Sequence, residues 1–123
     1  MILQTTYRNF DRSDRFDALV ANEAAKLEKR HQRIVSCRVL IERPHQRRGA
    51  PFHVRIDLGI PGEELVISHT PNPPALLSDE ETTRLEKPSE LAAIYKDGQR
   101  AVRDAFRKAE RRLLDHMHRK TPG

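Results

Sequence analysis

The feature that most limits the fold lies toward the end of the chain. Beyond Ser89, the residues Leu91, Ile94, Tyr95, Val102, Ala105, Phe106, Ala109, Leu113 and Met117 recur at i, i+3, i+4 and i+7. That spacing predicts one long helix with a single apolar stripe, capped by Ser89 after Pro88. A helix of this kind draws most of its stability from the surface its stripe lies on, so the rest of the chain must supply one. Gly98 falls within the pattern at a cost of about 1 kcal/mol relative to alanine. It predicts a kink there, or a late start near Asp97.

The segments upstream alternate at the period of two that such a surface needs. Residues 2–7 read as a first strand, with Leu3, Thr5 and Tyr7 on one face and Ile2, Gln4 and Thr6 on the other. Ser13 can cap a helix with Asp14 in its first turn, and Phe16, Leu19, Val20, Ala24 and Leu27 form its apolar stripe up to about His31. A second strand runs from Ile34 to Arg43, where Val35, Cys37, Val39 and Ile41 alternate with Ser36, Arg38 and Leu40. Pro44 stops it, and residues 44–50 form a basic connection. Phe52, Val54, Ile56, Leu58 and Ile60 make a third strand. Pro61-Gly62 marks a turn, and residues 65–69 return as a hairpin partner. Residues 70–74 (Thr-Pro-Asn-Pro-Pro) can neither pair in a sheet nor continue a helix. The acidic stretch after them contains Ser78 and Glu81 at capping-box spacing.

The order strand, helix, three strands, helix predicts an α+β fold. It is a two-layer sandwich, β-α-β-β-β-α, with a four-stranded sheet and two helices packed on one face. At 123 residues there is room for one domain. No apolar run approaches the roughly 18 residues of a membrane span, and the N-terminus lacks the pattern of a secretory signal. A single cysteine, Cys37, cannot form an internal disulfide, which suits a reducing cytoplasm.

Net charge is +5, and arginine, whose planar fork suits phosphate, carries much of it. The first helix bears Lys26, Lys29, Arg30 and Arg33. The last bears Arg100, Arg103, Arg107 and Arg111 in one row, with Lys108, Arg112 and Arg119 in a looser second row. With both helices on one sheet face, these rows would merge into a positive plateau able to bind a polyanion electrostatically. The bland alternative is a solvated charged face, with Glu28, Asp104, Glu110 and Asp115 as partners for some of the arginines. Four phenylalanines and two tyrosines, mostly needed inside, leave no base-stacking platform. Recognition would then go by backbone and shape, as for structured RNA.

Catalytic and metal chemistry finds no support. His116 and His118 lack the i,i+4 spacing of two ligands on one helix face. His31, His45, His53 and His69 are isolated, and Cys37 alternates with valines as a core residue would. Ser36 has no glycine elbow, and five glycines form no phosphate loop. Asp79-Glu80-Glu81 reads as a solvated charge run.

Several short motifs, in order, carry a family resemblance. Residues 25–29 (Ala-Lys-Leu-Glu-Lys) followed by 34–39 (Ile-Val-Ser-Cys-Arg-Val), Arg8-Asn9 after the first strand, residues 101–106 (Ala-Val-Arg-Asp-Ala-Phe) and 110–113 (Glu-Arg-Arg-Leu) resemble the ribosome hibernation-promoting and ribosome-associated inhibitor proteins, also called sigma-54 modulation proteins. The resemblance covers 1–70 and 97–118. It implies the same β-α-β-β-β-α fold, with basic helices that enter the mRNA and tRNA channel of the small subunit, block translation and protect idle ribosomes. By position it implies RNA contact for Lys26, Lys29, Arg30, Arg103, Arg107, Lys108, Arg111 and Arg112. Against that family, 71–96 reads as an insertion, Gln99 replaces an aromatic residue, and the C-terminal extension of long members is missing.

The reading is therefore a single ribosome-binding domain over 1–123, not an enzyme. It occludes the small subunit through its ribosomal RNA, with no cofactor, metal, membrane or small-molecule substrate. A protein-interaction regulator binding an acidic protein partner, through 71–96, is the alternative. A general RNA or DNA binder ranks third.

Overall fold

Alternation at period two sorts the strand residues into a buried and an exposed set. A computed structural model describes residues 1–9, 11–43, 52–70 and 88–120, with side chains described over 96–118 of the last stretch. In order, the elements are β1 (Ile2–Arg8), α1 (Asp14–Arg30), β2 (Ser36–Glu42), β3 (His53–Ile60), β4 (Glu63–His69) and α2 (Pro88–Lys120). The sheet order is β1-β2-β3-β4. β1 and β2 pair in parallel, which requires a crossover, and α1 supplies it. The other two pairs are antiparallel.

Register lines up three inward rows across the sheet: Leu3, Cys37, Leu58 and Leu65; Thr5, Val39, Ile56 and Ile67; Tyr7, Ile41, Val54 and His69. The stripes of both helices close on these rows. Phe16, Val20, Ala24 and Leu27 from α1 join Ala101, Val102, Ala105, Phe106, Ala109 and Leu113 from α2 in one buried cluster. Both helices therefore lie on one face, as expected from sequence. The other face presents Gln4, Thr6, Arg38 and Arg55 to solvent.

Local chemistry fixes where α1 begins. Asn9 turns the chain out of β1 at φ 66°, a left-handed conformation that asparagine tolerates. The Ser13 side chain then accepts from the Phe16 N–H as the N-cap. The Tyr7 hydroxyl lies 2.7 Å from Asp17 Oδ1 and 3.1 Å from the Ser13 carbonyl, tying β1 to the first turn of α1. Burial and then the Asp17 hydrogen bond push the Tyr7 hydroxyl well above its ordinary range. Asp17 moves down, held first by Tyr7 and then by Arg12 at 2.8 Å.

Several details differ from the sequence reading. α2 starts at Pro88, so Ser89 lies inside the helix and does not cap it; proline is tolerated in a first turn because its missing N–H has no intrahelical partner. α2 begins well before Gly98 and continues through it. That glycine is buried where a Cβ would stand 2.6 Å from Phe16 Cζ and 3.2 Å from Phe52 Cε2, so the absent side chain makes room for two rings. Val35 is exposed although its alternation matched Cys37, and Ile34 is buried in its place beside Leu113, delivered by the turn from α1. β4 begins two residues early at Glu63, and Met117 lies on the exposed margin of the α2 stripe. The basic connection 44–50, the prolines of 71–74 and the Ser78–Glu81 pair lie outside the described residues, as do the side chains of Leu91, Ile94, Tyr95 and Arg119.

Candidate nucleic-acid interface

The two helices run side by side over the sheet, and the groove between them gathers charge from both. Leu27 and Phe106 floor a hollow of about 230 Å³. Lys26 and Arg30 line it from α1, and Arg103 and Arg107 from α2. Residues far apart in sequence thus form one basic surface because both stripes bury against the same strands. The α2 row divides around the helix. Arg103 and Arg107 face α1, whereas Arg111 joins Lys108 and Arg112 along the β4 side, where Lys108 Nζ donates to the Ser68 carbonyl at 2.7 Å. Lys29 and Arg100 are exposed outside both hollows, and Arg33 lines a third at the end of the molecule.

Ion pairing distinguishes the two faces of the molecule. On the open sheet face each arginine has an acid: Arg8 with Glu42 at 3.5 Å, Arg38 with Glu64 at 3.5 Å, and Arg55 with Asp57 at 2.9 Å. That face is close to neutral. On the helix face, Arg107 meets Asp104 at 3.4 Å and Lys26 barely reaches Glu23 at 4.0 Å. Lys29, Arg33, Arg100, Arg103, Arg111 and Arg112 form no ion pair with the described residues. The unneutralised positive charge therefore concentrates on the helices, where a polyanion would find it.

Two acids line the groove, Glu23 and Glu110, and the second pairs across it. Glu110 of α2 accepts from Arg30 Nη1 of α1 at 3.1 and 3.3 Å and lies 3.3 Å from His31 Nε2. From sequence it was expected among the partners of arginines on its own helix; it pairs across the groove instead. Glu28, expected in the same role, holds the N-terminal amine at 2.9 Å. Pairing between segments this far apart has no periodic signal, so spacing within a helix could not have found it.

The remaining candidates are structural. Cys37 is a buried free thiol, pushed up to about 12 by its burial, and so stays protonated. His116 pairs with Glu63 of the β3–β4 hairpin at 2.8 Å. Among the described residues no three His, Cys, Asp or Glu side chains gather as a metal site, and no helix is long and apolar enough to cross a membrane.

The model of one protein family, described as Sigma 54 modulation protein / S30EA ribosomal protein, matches residues 3–121. The chain belongs to that family. That family is one of modulation and ribosomal proteins, not of enzymes. No curated protein matches this S30EA member by sequence search. Its fold is that of a ribosomal subunit interface protein from Coxiella burnetii, at TM-score 0.67 and 13% identity over 96% of this chain and 99% of the other. It is also similar to the N-terminal domain of Protein Y from Thermus thermophilus, at TM-score 0.53 and 14% identity over 90% and 98%. At these identities the likeness concerns the fold. The family match runs through 71–96, the segment the sequence reading set apart as an insertion; residues 88–96 of it are the first turns of α2.

Proposed function

We propose that this S30EA-family chain binds the small ribosomal subunit through its helix face. There it inhibits translation or protects idle ribosomes by occlusion, in the cytoplasm and without a cofactor. The supporting observation is the asymmetry of charge: the sheet-face arginines are neutralised one by one, while among the described residues most helix arginines face solvent with no ion-pair partner. Family membership and the fold shared with a ribosomal subunit interface protein point the same way. In this reading Lys26, Arg30, Arg103 and Arg107 bind phosphates from the walls of the groove. Lys29, Arg33, Arg100, Lys108, Arg111 and Arg112 extend the contact around it, and the whole chain acts as one ribosome-binding domain with 71–96 as an addition to it.

The contacts would be with phosphate and shape, since among the described residues no aromatic platform faces outward beside these cations. Replacing Arg103, Arg107 and Arg111 together by glutamate is expected to abolish co-sedimentation with small subunits in sucrose gradients, with the circular dichroism spectrum unchanged. In the wild type, log affinity should fall with log salt by about 0.7–0.9 per phosphate contact. Undiminished co-sedimentation of the triple variant would refute the assignment of the face. Equal competition by duplex DNA would reduce the protein to a general polyanion binder.

A further inference from the structure

At the end of the groove, three side chains form a cluster that one proton can recharge. Arg30 and His31 close the C-terminus of α1, and Glu110 of α2 reaches both. Glu110 Oε1 accepts from Arg30 Nη1 at 3.1 Å, while its Oε2 is shared between Arg30 Nη1 and His31 Nε2 at 3.3 Å each. The His31 side chain is 10% exposed and that of Glu110 26%, so water screens the pair weakly. His31 is also the C-cap of α1, its N–H donating to the Leu27 carbonyl at 2.9 Å. The partial negative charge of a helix C-terminus favours an imidazolium there. Other charged groups approach from each neighbouring element. Arg33 follows in the turn after α1, and His116 of α2 is held by Glu63 of the β3–β4 hairpin at 2.8 Å. On the β1 side, Glu28 holds the N-terminal amine. Among the described residues, Glu110 is the one acid paired with the His31 ring.

The charge balance of the groove makes this cluster matter. Four cations, Lys26, Arg30, Arg103 and Arg107, line it with two carboxylates, Glu23 and Glu110, so one charge more or less is a large fraction of the excess. With His31 neutral, Glu110 cancels Arg30. With His31 protonated, Glu110 is answered from outside the groove, and Arg30 counts in full toward a phosphate. Taking the helix face as the RNA surface proposed above, we infer that His31 is its proton switch: protonation draws the Glu110 carboxylate off Arg30, and the face holds RNA more tightly as pH falls through the range in which histidine titrates. The same linkage runs in reverse, because a phosphate seated on Arg30 favours the charged imidazole beside it. The His116–Glu63 pair has the same chemistry but ties α2 to the hairpin, and neither residue lines the groove. It serves as an internal control.

Fluorescence anisotropy of a labelled duplex RNA with the full chain at low salt, between about pH 8 and about pH 5.5, tests the switch. The phosphodiesters keep their charge over this range, so a change reports on the protein. One unit charge about 6 Å from a phosphate is worth about threefold in affinity, and the wild type should gain about that factor in acid. His31→Gln keeps a polar side chain that cannot be charged. It should match the wild type at the alkaline end and lose the gain, whereas His116→Gln should retain it. By reciprocity, the His31 ring should take up its proton about threefold more readily when RNA saturates the protein, with His116 moving less. Ring proton shifts across a pH titration of the wild type read this directly, and they decide the matter even if His31→Gln does not fold. An equal gain in wild type and His31→Gln, a gain lost only in His116→Gln, or a His31 titration unmoved by bound RNA would overturn the switch while leaving the RNA surface in place. Absence of RNA binding throughout the pH range would overturn both.

Discussion

Glu110 is the acid that pairs across the basic groove, and replacing it with glutamine should move affinity and stability in opposite directions. Its carboxylate is 26% exposed and holds Arg30, itself 65% exposed, at 3.1 Å. A pair this open to water contributes about 0–1 kcal/mol to stability, so Glu110→Gln should lower the melting temperature by a few degrees at most. The effect on RNA binding comes from charge. A carboxylate about 6 Å from a bound phosphate repels it by about 0.7 kcal/mol in water, and salt near 0.15 M reduces this. Removing the carboxylate should therefore raise affinity by about threefold at low salt. It also frees the Arg30 guanidinium for phosphate, which should steepen the dependence of log affinity on log salt by about 0.7–0.9. The opposing term is the lost ordering of Arg30, but that is confined to one loosely held side chain, whereas the removed charge is felt by every nearby phosphate. Fluorescence anisotropy with a fragment of small-subunit RNA at several salt concentrations would measure both quantities. A Glu110→Gln variant that is folded yet binds equally or more weakly, with an unchanged slope, would refute the reasoning. Glu110 would then be a strut that positions Arg30 and no competitor for phosphate.

Gly98→Ala sets helix propensity against packing. Alanine gains about 1 kcal/mol in a helix, but its Cβ would stand 2.6 Å from Phe16 Cζ, and overpacking of a filled core costs about 1–3 kcal/mol. Phe16 is fully buried against Phe52, so a net loss of about 1 kcal/mol is expected in thermal denaturation, and a stabilised variant would contradict the packing. Tyr7→Phe removes the 2.7 Å hydrogen bond to Asp17 and should cost about 1–2 kcal/mol near neutral pH, measured by urea unfolding. Because the Asp17 carboxyl is held below its ordinary 3.8, that contribution is complete above this pH and is lost as pH falls through the lowered value. The gap between wild type and variant should close in acid, and a gap that persists there would remove Asp17 from the account.

Much of the fold was legible because periodicity reports directly on which side of an element is buried. Cys37, Val39, Ile41, Val54, Ile56 and Leu58 face inward as their alternation requires, and Ser13 caps α1 as its chemistry suggests. The misreadings share one cause. Val35 kept the right alternation but lies at the end of the sheet, where Ile34 takes the buried place. Gly98 was weighed as a weak helix former, when its value is the space it leaves for Phe16. In both cases contacts made only on folding, Ile34 beside Leu113 and Gly98 against Phe16, decided the outcome, and a local pattern holds no information about them.

The candidate site follows the same rule with a functional consequence. Counting arginines along a helix finds a basic row, but whether the row attracts a polyanion depends on which carboxylates reach it after folding. Arg8, Arg38 and Arg55 look in sequence like any other scattered cations, yet the pairing of strands brings Glu42 and Glu64 to the first two, the pleat of β3 brings Asp57 to the third, and that face is largely cancelled. The helices draw a like number of acids into range for many more cations, and the acid that crosses between them, Glu110, comes from the opposite helix. Selectivity between the two faces is thus a property of pairing and not of composition. A variant of the same net charge with Glu64 moved from β4 to the surface of α2 would expose Arg38 and cover an arginine of the helix. If electrostatics governs binding as argued, that exchange should weaken association with small subunits although nothing in the overall charge has changed.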